Sequence, residues 1–139
     1  MQIDKFEKLI NKTKTSFIAS IDKDGFPNIK AMLAPRKRNG LKEFWFSTNT
    51  SSLRVSQFRK NKNAAIYFYA KNMFAYQGLM LVGTMEVLED QKSKDMIWQP
   101  GDTMYYPGGK TDTDYCVLKF KAKSGRYYCN FKSESFDIK

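Results

Sequence analysis

The stretch FWFSTNTSSLRVSQF, residues 44–58, runs from an apolar strand through a cluster of hydroxyl and amide side chains into a helix. Ser51 or Ser52 caps such a helix. Its first backbone N–H groups have no intrahelical acceptor and carry about half a positive charge. A helix start of this kind binds phosphate. Arg54 falls in the first turn, where a cation opposes the helix dipole unless an anion is present, and its planar fork suits a phosphate. Read alone, the segment also fits an ordinary capped helix with a solvated arginine. A second cation comes from GFPNIKAML, residues 25–33. On a strand, Lys30 faces away from Ala31 and Leu33 and shares its face with Met32. If this strand lies beside Glu43–Ser47, Lys30 and Arg54 meet at one phosphate and Met32 packs against a flat ring.

Other chemistry is excluded. The chain has no histidine, which removes Ser-His-Asp and Cys-His triads, histidine-ligated zinc and the usual proton shuttle near neutral pH. Its two cysteines, Cys116 and Cys129, show no metal-binding spacing. On two strands joined by a turn at Ser124-Gly125 they would be offset by about 13 Å, too far for a disulfide. They read as reduced thiols. No catalytic residue and no metal ligand stands out, so a cofactor that brings its own reactivity is favoured.

These residues need a scaffold, and the composition supplies one. The 139 residues suit a single domain spanning 1–139, with 42% hydrophobic and 15% aromatic residues to fill a core. No apolar run reaches the roughly 20 residues of a membrane helix. MQIDKFEKLINKT lacks a signal peptide's apolar stretch, so the expected location is cytoplasmic, without a membrane partner. Lys and Arg outnumber Asp and Glu by 24 to 14, which favours an anionic partner. The run Arg36-Lys37-Arg38 beside Asn39-Gly40 reads as a solvated hairpin tip.

Ile3, Phe6, Leu9 and Ile10 recur at helical spacing over residues 2–12. The period then changes to two. Phe17, Ala19 and Ile21 alternate with polar or oppositely facing residues, Asp24-Gly25 makes a turn, and a partner strand follows over Pro27–Leu33. Further strands are expected at Glu43–Ser47, Ala64–Ala70 and Tyr76–Leu88, with Gly83 marking a bulge or a close approach. A helix is expected over Asp90–Trp98 and a loop over 99–114. A final hairpin pairs Tyr115–Lys123 with Arg126–Phe131. The sum is a mainly β (α+β) fold, a six-stranded antiparallel split β-barrel with short flanking helices.

Four segments, in order, make the pattern specific. GFPNIKAML at residues 25–33 is close to a family strand signature that carries Arg at the lysine, WFSTNTSSLR resembles F-x-T-N-x-x-S-x-K, YQGLMLVGTMEVLED resembles a V-x-G-x-A-x-V strand, and MIWQPGDTMYYPGGKTDTDYCVLKF resembles a W…(F/Y)-P-x-G…D…V-L tail. Together they resemble the pyridoxamine 5′-phosphate oxidase-like FMN-binding split-barrel family, in its smaller general-stress-protein-like branch, over about residues 13–131. The resemblance implies an FMN cofactor whose phosphate is held by Lys30, Thr48, Ser52 and Arg54. It implies Ala31, Met32 and Leu33 along the ribityl chain and ring, and main-chain groups near Ser47 and Thr48 bonded to the ring. Leu53 stands where the family often has another cation, and Gln77 within one residue of a ring-contacting glutamine. Trp98 and Tyr106 are expected to reach the flavin from a second subunit, as core or lid aromatics otherwise.

The implied function is an FMN flavoprotein in a homodimer, passing electrons from a reduced nicotinamide donor to a small acceptor. Met73, Phe74, Tyr76, Trp98, Tyr105 and Tyr106 lie in or next to loops and are expected to be buried by a two-fold axis between copies. The Arg- and Trp-containing tail of true pyridoxamine-phosphate oxidases is missing after Lys139, so vitamin B6 synthesis is not expected. The alternatives are a non-catalytic flavin-binding or stress-related dimer, a haem or deazaflavin binder, and a basic nucleic-acid-binding β-barrel. The last is disfavoured because the aromatics fall mostly on alternating core positions and form no RNP-like cluster, so no nucleic-acid partner is expected.

Overall fold

A computed structural model describes residues 3–139. The first element, α1 (Ile3–Lys12), buries Phe6, Leu9 and Ile10. The apolar stripe at helical spacing thus packs inward, with Phe6 stacked on Phe136 at 4.8 Å. The strands are β1 (Thr15–Ile21), β2 (Pro27–Leu33), β3 (Lys37–Asn39), β4 (Glu43–Asn49), β5 (Asn63–Lys71), β6 (Tyr76–Leu88), β7 (Tyr115–Cys129) and β8 (Lys132–Asp137). Helix α2 (Leu53–Lys60) follows β4, and α3 (Gln91–Ile97) follows β6. Two 3₁₀ turns, Asp102–Met104 and Gly109–Thr111, shape the segment before β7.

All the strands join one antiparallel sheet in the order β2-β1-β5-β6-β7-β4-β3, with β8 on β7. The fold is a mainly β split barrel, as expected, but it has eight strands where six were anticipated. The two additions are β3, a short strand inside the basic run, and β8. The final hairpin also differs. Tyr115 to Cys129 is a single strand, and the chain reverses at Asn130, whose φ of 55° supplies the left-handed turn. Gly125 therefore marks no turn. A Cβ there would lie 2.6 Å from Phe136 and 2.7 Å from Leu81, so glycine serves close packing of three strands. Cys116 and Cys129 consequently sit far apart on one strand, and both are free.

Gly83 does mark a bulge. The β6–β7 register shifts between Val82 and Gly83, and a Cβ at Gly83 would meet the Lys121 carbonyl at 1.9 Å. The extra residue bends the long β6–β7 pair so that each strand serves both halves of the barrel. Inside lie Ile18, Phe44, Phe46, Val55, Phe58, Ile66, Phe68, Leu79, Leu81, Leu118 and Phe120.

The β2 strand does not lie beside β4. It is the edge strand next to β1, at the opposite end of the sheet order from β4. Local pairing through the Asp24-Gly25 turn, where Gly25 has φ 86°, decides its place.

Candidate functional site

The start of α2 is built as its sequence requires. Ser52, in extended conformation, accepts the Val55 N–H on its hydroxyl, and no acidic residue occupies the first turn. Val55 and Phe58 turn into the core, which fixes the helix rotation. Arg54 is then carried to one flank, the flank that also bears Gln57 one turn later. Gln57 bonds to Ser20 on β1 and Asn28 on β2, so this flank looks onto the β1–β2 pair.

Direction follows from the far end of the helix. Asn63, three residues past the helix, opens β5, and the pairing of Ala65 with Ala19 sets Asn63 level with Ile21 at the β1–β2 turn. The C-terminal end of α2 thus points to the hairpin tip, and Arg54 lies toward the opposite end, where Lys30 faces Ile18 in the register. Asn28, Lys30 and Met32 share this inner face, while Ile29, Ala31 and Leu33 face outward. Met32 is half-buried against the core.

Arg54 is the anomaly. Its Nε is buried without a hydrogen-bond partner. Burial alone moves its guanidinium pKa down from the ordinary value. Among the described residues no carboxylate pairs with it: the ion pairs are Lys5–Glu134, Arg36–Asp102, Arg38–Glu7, Arg59–Glu89 and Lys119–Glu43. A half-buried cation whose Nε lacks a partner is unfavourable at a helix N-terminus, and an anion bound there offsets both the lost hydrogen bond and the opposed dipole. Thr48 is buried on the inner side of β4, in line with Phe44 and Phe46. Ser52, Arg54 and the first amides of α2 form a donor set of the kind a phosphate takes; Thr48 lies on the strand that precedes it, and Lys30 is exposed on β2. Leu53 beside Arg54 is 66% exposed and adds no charge.

One carboxylate does stand near the junction. Asp114 accepts the Ser51 N–H at 2.8 Å and the Asn49 amide at 3.0 Å. The Ser51 bond is the main cause holding its pKa below the usual carboxylate range. Asp114 thereby fixes the turn that leads into α2. It lies 63 residues from Ser51 in sequence, and no local pattern announces it.

The other expected residues are placed elsewhere. Gln77, on β6, accepts from Lys12 Nζ at 2.9 Å and donates to the Tyr127 hydroxyl at 3.0 Å. Ser47 lies on the outer side of β4, beside the Tyr106 hydroxyl. Trp98 packs in that same outer cluster, with ring centroids 5.4 Å from Tyr115 and 6.2 Å from Tyr106. Tyr106 itself is buried within its own chain against Tyr115 at 4.5 Å, the packing of a core or lid aromatic. The basic run is no solvated tip either: Arg36 is buried on Asp102 and Arg38 binds Glu7 and Asn11.

The outer face of β1, β2, β5 and β6 carries an apolar groove lined by Phe17, Ala19, Ile29, Tyr67, Tyr69 and Met80. Ile29 is 73% exposed. Ala31 and Leu33 lie on this face, adjacent to Phe17 and Thr15.

The Pyridoxamine 5'-phosphate oxidase family model matches residues 3–129. No curated protein matches the chain. A protein related to general stress protein 26 of B. subtilis, from Clostridium acetobutylicum, is 43% identical over 99% of this chain and 94% of its own, with a TM-score of 0.88. General Stress Protein 26 from Bacillus anthracis str. Sterne shares the fold at 15% identity, covering 99% of this chain and 100% of that one, with a TM-score of 0.80. A heme binding protein from Mycobacterium smegmatis does so at 13% identity, covering 99% and 58%, with a TM-score of 0.78.

Proposed function

Because the chain belongs to the pyridoxamine 5′-phosphate oxidase family, we propose that it is an FMN-binding oxidoreductase that works as a homodimer. The observation that carries this reading is the buried, unpartnered Nε of Arg54 at the capped start of α2. Arg54 and Lys30 supply charge to the phosphate, Ser52 and the first α2 amides supply donors, and Thr48 closes the inner side. Met32 offers a polarizable apolar surface beside Lys30. Bound FMN supplies hydride and single-electron chemistry, while the protein binds, orients and shields it. No protein acid or base is assigned to the reaction.

The apolar outer face supports the dimer. A contiguous exposed groove of Phe17, Ile29, Tyr69 and Met80 is costly in water, and a two-fold axis closes a self-complementary patch with two copies. Because Ala31 and Leu33 lie on the same face, a second copy seated there would also cover the strand expected to line the flavin. The absence of histidine counts against haem, which the mycobacterial protein binds, and leaves Tyr or Met as the axial ligand for that alternative.

The test is direct. The purified chain is titrated with FMN and with riboflavin, then mixed anaerobically with NADH or NADPH while flavin absorbance is followed. Tighter binding of FMN and bleaching by a nicotinamide are expected. Failure to bind either flavin ends the proposal, and binding without bleaching leaves a flavin-holding dimer in its place.

A further inference from the structure

Gln57 is buried on α2, and each end of its amide is bonded to a different strand. Its Oε1 accepts the Ser20 hydroxyl of β1, and its Nε2 donates to Asn28 Oδ1 of β2 at 3.1 Å. Asn28 Nδ2 passes the chain on to Asp22 Oδ2 at 3.1 Å and to the Phe26 carbonyl at 3.3 Å. Asp22 in turn accepts the Asp24 and Phe26 N–H groups, each at 2.9 Å. A continuous line of hydrogen bonds thus runs from the helix, across β1 and β2, to the turn that joins them.

The geometry points to Gln57 as the positioning residue of the phosphate site, a role that rests on the FMN reading above. Arg54 precedes Gln57 by three residues, about 4.5 Å along a helix axis. Lys30 follows Asn28 by two residues, about 6.8 Å along a strand. Both steps lead away from the hairpin tip. The Gln57–Asn28 bond therefore fixes the offset between Arg54 on α2 and Lys30 on β2, the two cations that the FMN reading assigns to one phosphate. As an edge strand, β2 is bonded to β1 alone, and of its inner residues Met32 packs against the core while Asn28 and Lys30 do not. Val55 and Phe58 hold α2 in the core, and the Gln57–Asn28 bond ties the helix to β2. A leucine at position 57 would fill a similar volume and remove that tie. The buried amide thus specifies an alignment that apolar packing does not.

Flavin-fluorescence titrations of the full chain test this with FMN and riboflavin, on the parent protein, Gln57→Leu, Asn28→Ala and the double variant. Each single change is expected to weaken FMN binding about tenfold, through misplacement of the two cations. Riboflavin, which has no phosphate, should stay within about twofold. The double variant should lose no more than the larger single loss, since both changes cut one bond. Unchanged FMN affinity in the variants, equal loss of both ligands, or additive losses would each overturn the role of Gln57. Asn28 is on the partly exposed edge, so its variant keeps the test open if Gln57→Leu fails to fold. A parent protein that holds riboflavin as tightly as FMN would instead overturn the phosphate reading itself.

Discussion

Arg36 grips Asp102 through two parallel hydrogen bonds, Nη1 to Oδ2 and Nη2 to Oδ1, each 2.9 Å long. The side chains are only 8% and 4% exposed. Asp102 also accepts the Gln99 N–H, and the Arg36 N–H donates to the Trp45 carbonyl. The pair therefore ties the 3₁₀ turn of Asp102–Met104, and with it the Trp98–Tyr106–Tyr115 cluster, to the segment between β2 and β4. Asp102→Ala strands a buried guanidinium and should cost about 3 kcal/mol in urea unfolding. Replacing both partners, with Arg36→Met and Asp102→Leu, should recover most of that loss. A single variant as stable as the parent would show that the pair is dispensable.

Acid should loosen the turn before α2. The Ser51 N–H holds the Asp114 pKa below its ordinary range. A carboxylate with a depressed folded pKa contributes stability above its unfolded pKa, and the contribution fades as pH falls through the lower folded value. The melting temperature should thus drop on acidification below about pH 4. Asp22, Glu43 and Asp90 are depressed in the same direction by their own hydrogen bonds, so the parent curve sums several groups. Asp114→Asn isolates one: it should melt lower than the parent near neutral pH, and the gap should close in acid. A gap that stays constant with pH would remove Asp114 from this role.

Gly83→Ala should be severe. Its Cβ would meet the Lys121 carbonyl at 1.9 Å, backbone that has no rotamer to escape into. A loss of about 3 kcal/mol in denaturant unfolding is expected. Near-parent stability would mean that β6 and β7 separate easily at the bulge.

Gly83 and Gly125 show what the residues alone could and could not disclose. Both are glycines within alternating apolar runs, and both permit close backbone approach. Only the partner strands tell that one marks a bulge and the other a crossing under Phe136. Ser124-Gly125 carries a turn signal that the barrel overrides, because β6 and β8 both pair with that stretch. The capped start of α2 was more legible, since Ser52, Arg54 and the first turn are contiguous in sequence. Its supports were not: Asp114, Gln57 and Asn28 reach it only through pairings separated by 29 to 63 residues. Arg36 looked like surface charge for the same reason, its partner lying 66 residues away.

The second copy should seat on the outer face of β2 and β1. Ile29→Asp places a carboxylate in the middle of the Phe17–Ile29–Tyr69 groove without touching the core. Light scattering coupled to gel filtration should give twice the chain mass for the parent and the single mass for the variant. A parent that runs as a monomer with FMN bound contradicts the dimer, and a variant that stays dimeric moves the interface elsewhere.

The central claim is that Arg54 stands ready for a phosphate, and one comparison tests it most directly. Arg54→Ala is titrated with FMN and with riboflavin beside the parent chain. Loss of a charged hydrogen bond should weaken FMN by about 1.5–3 kcal/mol and leave riboflavin nearly unchanged. Equal affinity of parent and variant for FMN, or parallel loss for both ligands, would contradict a phosphate site at the start of α2.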